Sequence, residues 1–407
     1  MSSRDTPNSL DELVRSPFAR LALLLEGMAP GAAPIDLSLG EPKALIPSFL
    51  GPTLQEHLGE FGRYPPIKGI PELRNAIAAW LGRRYPVLDG AIDPETHVLP
   101  LNGSREGLFS AIFPACARKP DLTAPLVLIP NPFYQAYAAA AAASGATPFF
   151  LDARAEDGFL PDLDRIDPQV LARTAAFYLN TPSNPQGAVA SRAYLARAIA
   201  LARAHDFILF ADECYSEIYG ETPPPGALET ALAETVLAET ASLANVAIFQ
   251  SLSKRSGLPG LRSGFVAGDP AFIAAFGRFR NVACPQVPLP IQHASAKAWA
   301  DENHVAEGRG LYRRNFAVAD AVLGRRYGYR RPDGGFFLWL NMAVFGGGEA
   351  AAKTLWKGCG VKVLPGTYLA HAGPDGVNPG TDYVRIALVH DAETTREALT
   401  RVVATLG

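Results

Sequence analysis

Residues 246–264 read Val246-Ala247-Ile248-Phe249-Gln250-Ser251-Leu252-Ser253-Lys254-Arg255-Ser256-Gly257-Leu258-Pro259-Gly260-Leu261-Arg262-Ser263-Gly264. A short apolar run, Val246–Phe249, stops abruptly at polar residues, which predicts a buried strand followed by a turn. Gly257, Pro259 and Gly260 punctuate the turn, and Ser263–Ala267 predicts the next strand. A lysine set directly behind a buried strand costs desolvation free energy, so its placement asks for a chemical reason.

The same unit recurs on either side. Leu126–Ile129, Ala175–Leu179 and Phe207–Phe210 are further short apolar strands, each followed by a loop of Gly, Pro, Asn or Ser. Between them lie amphipathic helices. Tyr194–His205 carries Leu195, Ile199 and Ala202 at helical spacing, and Pro71 opens a helix with Leu73, Ile77, Trp80 and Leu81 on one face. Ala136–Ala143 is too short and too weakly apolar to span a membrane and reads as a helix. Strands alternating with helices imply an α/β protein with a mostly parallel sheet covered on both faces.

From Trp299 onward the pattern changes to helix-like stretches at Tyr312–Tyr327 and Glu349–Lys357, with strands expected at Phe336–Leu340, Val361–Leu364 and Tyr383–Leu388. The resulting division is an N-terminal segment, 1–50, packing on the small domain or a partner subunit, a large domain, 51–298, and a smaller α+β domain, 299–407. Pro223–Pro225 is expected to be a surface excursion.

Composition narrows the function. The 407 residues are 48% hydrophobic and 19% charged, a globular balance, with a formal net charge of −3. No basic field is available for nucleic acid or an anionic membrane. The four cysteines, Cys116, Cys214, Cys284 and Cys359, are scattered, and the seven histidines show no HExxH spacing. Neither a metal site nor a disulfide scaffold is expected, and a cytoplasmic location suits the free thiols. Met1–Ser9 lacks the apolar core of a signal peptide. Cys214, His205 and His293 are read as structural.

In open α/β sheets, ligands collect beyond the carboxyl ends of the strands. Four strands here run into polar loops: Leu99 into Asn102-Gly103-Ser104-Arg105, Leu179 into Asn180 through Gly187, Phe210 into Asp212-Glu213-Cys214-Tyr215, and Phe249 into Ser251 through Arg255. The set combines an amide, a carboxylate, a lysine and an anion cradle. Pyridoxal phosphate needs all of these. Its aldehyde takes an amine, its ring nitrogen takes a carboxylate, and its phosphate takes backbone N–H groups, hydroxyls and an arginine. Of the eight lysines, only Lys254 follows an apolar strand.

The run Ser251–Gly264 resembles the cofactor-lysine segment of class I/II aminotransferases. Asn184-Pro185 with Gly187, and Asp212-Glu213 with Tyr215, resemble two further signatures of that family. Asp212 lies 28 residues after Asn184, Lys254 lies 42 after Asp212, and Arg262 lies 8 after Lys254. The likeness extends from Leu37-Ser38-Leu39-Gly40-Glu41-Pro42 to the strand around Arg385. It implies the fold type I of pyridoxal-phosphate enzymes, with a seven-stranded, mostly parallel sheet flanked by helices and a smaller α+β domain.

It also implies roles. Lys254 would form the internal aldimine and shuttle the proton at the substrate α-carbon. Asp212 would pair with the ring nitrogen, Asn184 and Tyr215 would bond the ring oxygen, and Tyr134 would stack on the ring. Ser104, Arg105 (through its backbone), Ser251 and Arg262 would cradle the phosphate. Tyr64 would reach the phosphate from a neighbouring subunit, which implies a homodimer with shared active sites. Arg385, assisted by the backbone at Gly40, would grip the substrate α-carboxylate, with Asn184 beside it.

Each residue also has a plainer reading. Asp212 could cap a helix, Tyr134 could be core, Asn184 could be a turn residue before Pro185, and Arg385 could pair structurally or face solvent.

The finer resemblance is to N-succinyl-L,L-diaminopimelate aminotransferases of lysine synthesis. It rests on Tyr64-Pro65-Pro66, Pro71-Glu72-Leu73-Arg74, Val98–Glu106 and the run ending at Asp269, and departs at Gly257 and Gln186. The implied substrates are an amino acid and a 2-oxo acid, with glutamate and 2-oxoglutarate as one pair. Arg63, Lys68, Arg255, Arg278 and Arg280 are the candidate cations for the substrate's far end. Aminotransferases for aspartate, aromatic or N-acetylornithine-type substrates and lyases of the same fold would share the cofactor residues. A non-catalytic regulator would need a DNA-binding domain, and too few residues precede Leu37 for one.

Overall fold

The computed structural model describes residues 15–43, 46–236 and 242–407. Among them are β1 (Ile35–Asp36), β2 (Val98–Leu101), β3 (Leu126–Asn131), β4 (Thr147–Asp152), β5 (Thr174–Asn180) and β6 (Ile208–Asp212). The remaining strands are β7 (Val246–Ser251), β8 (Gly264–Gly268), β9 (Phe337–Asn341), β10 (Val361–Lys362), β11 (Leu364–Pro365) and β12 (Tyr383–Ala387).

Seven strands form one sheet in the order β2-β8-β7-β6-β5-β3-β4. All neighbours are parallel except those of β8, which runs against both β2 and β7. The reversal has a local cause. Only the twelve residues Leu252–Ser263 link β7 to β8, and Gly257, Pro259 and Gly260 leave no room in them for a crossover helix beyond the single turn Leu252–Arg255, so the chain returns alongside itself. Strands β5, β6 and β7 are buried at every residue, as a sheet covered on both faces requires. On one of those faces lies the helix Pro71–Arg84, with Leu73, Ile77, Trp80 and Leu81 all buried. Trp80, Trp299 and Phe265 form its densest contact, with Trp299 centred 4.9 Å from each of the other two rings. An aromatic side chain that buries ~150–250 Å² gains roughly 4–6 kcal/mol at 25 cal/mol/Å², before entropy costs.

A second, three-stranded antiparallel sheet, β11-β12-β9, lies in the C-terminal part beside the helices Asn303–Leu323, Gly348–Cys359 and Ala392–Leu406. The described N-terminal segment packs there too. Leu21 and Leu25 meet Leu364, Tyr368 and Leu369, and β1 pairs in parallel with β10.

Three expectations shift. The strand expected at Val361–Leu364 is two short strands, because the chain changes partner from β1 to β12 at Val363. The helix expected to reach Tyr327 stops at Leu323, where Gly324 takes φ +58. The edge strand β4, with Pro148 and partly exposed phenylalanines, had no clean alternation to announce it.

Candidate active site

Five parallel strands deliver their carboxyl ends to one cleft of about 420 Å³. β2 ends before Gly103-Ser104, β3 before Tyr134, β5 at Asn180, β6 at Asp212 and β7 at Ser251. Because β8 is antiparallel, its first residues lie at the same edge, which brings Arg262 to the cleft as well. Arg385 on β12 and Gly40 of the N-terminal segment close the other side.

Lys254 emerges from the four-residue helix Leu252–Arg255, capped by Ser251, whose hydroxyl accepts from the Ser253 N–H. Its amine donates to the Gly40 carbonyl at 2.5 Å and faces the rings of Phe336 and Tyr215 at 5.2 and 5.7 Å. Burial lowers its pKa from 10.5 to about 8, and the nearby Arg385 and Arg105 push the same way. A sizeable neutral, nucleophilic fraction is therefore present near neutral pH.

Asp212 is 3% exposed and forms no ion pair among the described residues. Its carboxylate accepts from the Tyr137 hydroxyl at 2.6 Å and from the Cys214 N–H at 3.2 Å. Burial outweighs both bonds and raises its pKa. Helix capping does not describe it, since no regular helix follows. A buried carboxylate lacking a cation fits a ligand that brings one.

Arg385 mirrors it with the opposite sign. It is 4% exposed, its pKa falls to about 10 through burial, and its two protein bonds go to the neutral oxygens Asn184 Oδ1 (2.9 Å) and Ser38 O (2.7 Å). Its Nε is buried without a partner. It neither pairs with an acid among the described residues nor faces solvent. A buried, uncompensated guanidinium with free donors fits a carboxylate.

The third charge feature is the cradle around Ser104. Gly103 takes φ +83, and a Cβ there would meet Arg262 NH2 at 2.5 Å, so the turn admits glycine alone without displacement. Arg262 sits in the left-handed region at φ +53, and among the described residues its guanidinium bonds the carbonyls of Pro259 and Asn102. Tyr134 packs against the edge of the core and also lines the cleft, where its hydroxyl accepts a short hydrogen bond from Arg105 Nε.

The cleft thus gathers Gly40, Ser104, Arg105, Tyr134, Asn184, Asp212, Tyr215, Ser251, Lys254, Arg262 and Arg385. Tyr64 stands apart, fully exposed and outside the cleft of its own chain. The five candidate cations for the far end of the substrate are also outside it. Arg255 is clamped to Glu302, Arg280 to Glu106 and Arg63 to Glu60, Lys68 bonds the Glu95 carbonyl, and Arg278 does not line the cleft. Neighbours distant in sequence already hold Arg255, Arg280 and Lys68, whereas Arg63 pairs locally with Glu60 three residues before it.

Other residues were not anticipated. Tyr137, one helical turn beyond Tyr134, holds Asp212, and that i,i+3 spacing was the available signal. Asn180 accepts the Asn184 N–H at 2.7 Å and donates to the Asp212 carbonyl at 2.9 Å. Cys214, read as structural, lines the cleft, but burial pushes its thiol pKa up and makes it a poor nucleophile. Pro17 and Phe18 of the helix Pro17–Leu24 form part of the wall. Away from the cleft, His57, Glu60 and His293 come within 4.8 Å of one another. The two imidazoles stack 3.6 Å apart and 6° from parallel, so an ion in one ring plane would be too far from the other nitrogen.

The cleft's amine, its lone buried carboxylate and its glycine-backed anion cradle fit pyridoxal phosphate. Together with the sheet order they define a pyridoxal-phosphate enzyme. A family model of class I and II aminotransferases matches residues 33–402, and the chain belongs to that family, whose cofactor is pyridoxal 5'-phosphate. The chain is 31% identical to an LL-diaminopimelate aminotransferase of Desulforudis audaxviator over 96% of this chain and 95% of that protein. An aminotransferase crystal structure from Neisseria meningitidis superposes with a TM-score of 0.89 at 37% identity, covering 98% of this chain and 99% of the other. A probable N-succinyldiaminopimelate aminotransferase from Thermus thermophilus superposes with a TM-score of 0.81 at 26% identity, covering 96% and 100%. Among the described residues no helix is long and apolar enough to cross a membrane.

Proposed function

We propose that this aminotransferase exchanges the amino group of N-succinyl-L,L-2,6-diaminopimelate with the glutamate/2-oxoglutarate pair, in lysine synthesis. The observation that carries the choice of substrate is the charge of the cleft. Its lining contains four cations, Arg105, Lys254, Arg262 and Arg385, and one acid, Asp212. With the cofactor and an α-carboxylate in place, Arg105 is the cation left at the exposed mouth. A succinylated tail presents carboxylates and no ammonium. Free diaminopimelate presents an ammonium that no acid of the lining can meet. The LL-diaminopimelate aminotransferase relatives favour that free substrate as the second reading.

When bound, the cofactor supplies an aldehyde for amine exchange and a ring that accepts the electron pair left at the substrate α-carbon. In this reading Lys254 removes and returns the α-proton through its neutral amine. Asp212, oriented by Tyr137 and Cys214, keeps a proton on the ring nitrogen. Asn184 and Tyr215 bond the ring oxygen, and Tyr134 covers one face. Ser104, the Arg105 backbone, Ser251 and Arg262 hold the phosphate. Arg385 fixes the α-carboxylate, so the α-hydrogen meets Lys254 in one orientation. The Gly40 backbone completes that pocket.

Tyr64 acts across a homodimer interface in the same proposal. Leu58, Phe61, Tyr64 and Ile67 leave a run of large side chains exposed in the single chain, which a second subunit would cover. Sedimentation as a monomer at micromolar concentration would remove this part. A cytoplasmic setting fits the four free cysteines.

The test mixes the cofactor-loaded protein with glutamate, N-succinyl-L,L-diaminopimelate, LL-diaminopimelate, N-acetylornithine, aspartate and phenylalanine in turn, following loss of the cofactor's visible absorption. Rapid conversion by glutamate and the succinylated compound supports the proposal. Conversion by LL-diaminopimelate but not its succinyl derivative selects the second reading. Lys254→Ala must abolish both the lysine-linked absorption and turnover.

A further inference from the structure

Behind Lys254, on the side away from the cleft, three side chains form a hydrogen-bonded chain. Ser256 Oγ lies 2.8 Å from His304 Nε2, and His304 Nδ1 makes a short contact with Asp301 Oδ2. The polarity follows from the groups. A carboxylate can only accept, so Nδ1 carries the imidazole hydrogen, Nε2 is the acceptor, and the serine hydroxyl donates. The His304 backbone N–H adds a bond to the same Asp301 oxygen at 3.1 Å.

The order Asp–His–Ser is that of hydrolase triads, but nucleophilic chemistry has no room here. Ser256 is 3% exposed, and the adjoining cavity measures about 10 Å³, against several hundred for a substrate pocket. The location of the chain suggests another task. Ser256 is the residue that ends the Lys254 turn, and its N–H bonds the Leu252 carbonyl at 3.1 Å. Arg255, between Lys254 and Ser256, is bound close to Asp301 as well, through Ala298 O at 2.7 Å and Glu302 Oε1 at 2.7 Å.

His304 sits in the first turn of the helix Asn303–Leu323. Further along that helix, Asn315 donates to the carbonyls of Leu388 and His390 at 2.9 and 2.7 Å, just beyond β12, which carries Arg385. One helix therefore grips the lysine turn at its start and the arginine strand at its middle.

We propose that Ser256, His304 and Asp301 are positioning residues for Lys254, holding its turn to the helix that also fixes the Arg385 strand. This rests on Lys254 being the cofactor-linked lysine. The chain sets the distance between the amine that handles the α-proton and the guanidinium that holds the α-carboxylate. Ser256→Ala removes the Ser256–His304 bond, and His304→Gln removes that bond together with the side-chain contact to Asp301.

The experiment uses the cofactor-loaded protein and reads three quantities for each variant and for the pair combined: the pH midpoint of the cofactor's visible absorption, kcat and KM for the amino donor, and Tm. Each single variant should move the midpoint by roughly half a pH unit or more and lower kcat about five- to tenfold, with KM within about twofold. The double variant should match His304→Gln, because the Ser256 bond is already lost there. A midpoint and kcat unchanged in both variants, with only Tm lowered, overturns the proposal, as does an additive double variant. A Lys254→Ala protein that keeps the wild-type absorption refutes the reading of the lysine itself, a separate failure.

Discussion

Replacing Arg385 with methionine separates binding chemistry from structural support. In function the guanidinium is assigned two charge-assisted hydrogen bonds to the substrate α-carboxylate, each worth ~1.5–3 kcal/mol. Their loss amounts to about 3–6 kcal/mol, or roughly 10²–10⁴ in kcat/KM, for every amino acid alike. For stability the balance differs. The guanidinium is buried, and the fall of its pKa from 12.5 to about 10 corresponds to roughly 3 kcal/mol of cost in holding the charge there. Against that stand the two bonds to Asn184 and Ser38, donated by a charged group and so worth about 3–6 kcal/mol together. The balance leaves a loss of at most about 3 kcal/mol, which in a chain of this length keeps the cofactor-free variant within about 4 °C of the parent. Steady-state kinetics with glutamate and a second donor, beside calorimetric melting, measure both. A variant that melts far lower while kcat/KM stays within tenfold would return Arg385 to a structural role.

Reconstitution of cofactor-free protein should accelerate as pH rises through about 8, because the Lys254 amine is protonated and non-nucleophilic below that value. A pH-independent rate between 7 and 9 contradicts it. Tyr137→Phe removes the 2.6 Å bond that holds down the Asp212 pKa, and should weaken cofactor binding about tenfold by fluorescence titration. Equal affinity counts against Asp212 as the ring-nitrogen partner. The buried Glu213 carboxyl has its pKa raised from 4.5 to about 7, so between those values the folded chain binds more protons than the unfolded one. That contribution makes stability fall as pH rises through the window, and Glu213→Gln should flatten the fall in Tm between pH 5 and 8.

Much of this was legible in the chain because strand and loop alternate sharply. The helix from Pro71 and the strands β3, β5, β6 and β7 followed from local period and punctuation alone. Eleven of the twelve residues singled out line one cleft, and nine of them do so for the same reason: each lies at or near a strand end of the large sheet, which brings those ends together, whereas Gly40 and Arg385 come from the N-terminal segment and the antiparallel sheet. What sequence order hides is partnership between distant segments. Nothing local shows that Arg255 is claimed by Glu302, that Arg280 is claimed by Glu106, or that Ser256 meets His304. Spacing likewise could not show that Arg385 has no acidic partner among the described residues, the property that distinguishes it from a structural arginine. Tyr64 marks the limit of a single chain, since a role across an interface leaves no trace in its own contacts.

The charges of the cleft are coupled, and in the proposed mechanism the coupling gives the lysine a reason to act only when substrate is present. Burial is the largest cause of its lowered pKa, and the positive Arg385 lowers it further. Before substrate binds, both favour a neutral amine, ready to join an aldehyde. An α-carboxylate seated on Arg385 cancels that positive field, and the amine then holds a proton more tightly. It becomes a stronger base at the moment a substrate α-proton is placed before it. In the proposed roles Arg385 would both orient the substrate and, once its charge is met by the α-carboxylate, stop depressing the proton affinity of Lys254, which accounts for its having no acidic partner among the described residues. A structural carboxylate opposite Arg385 would stabilise the resting fold, but it would remove both effects.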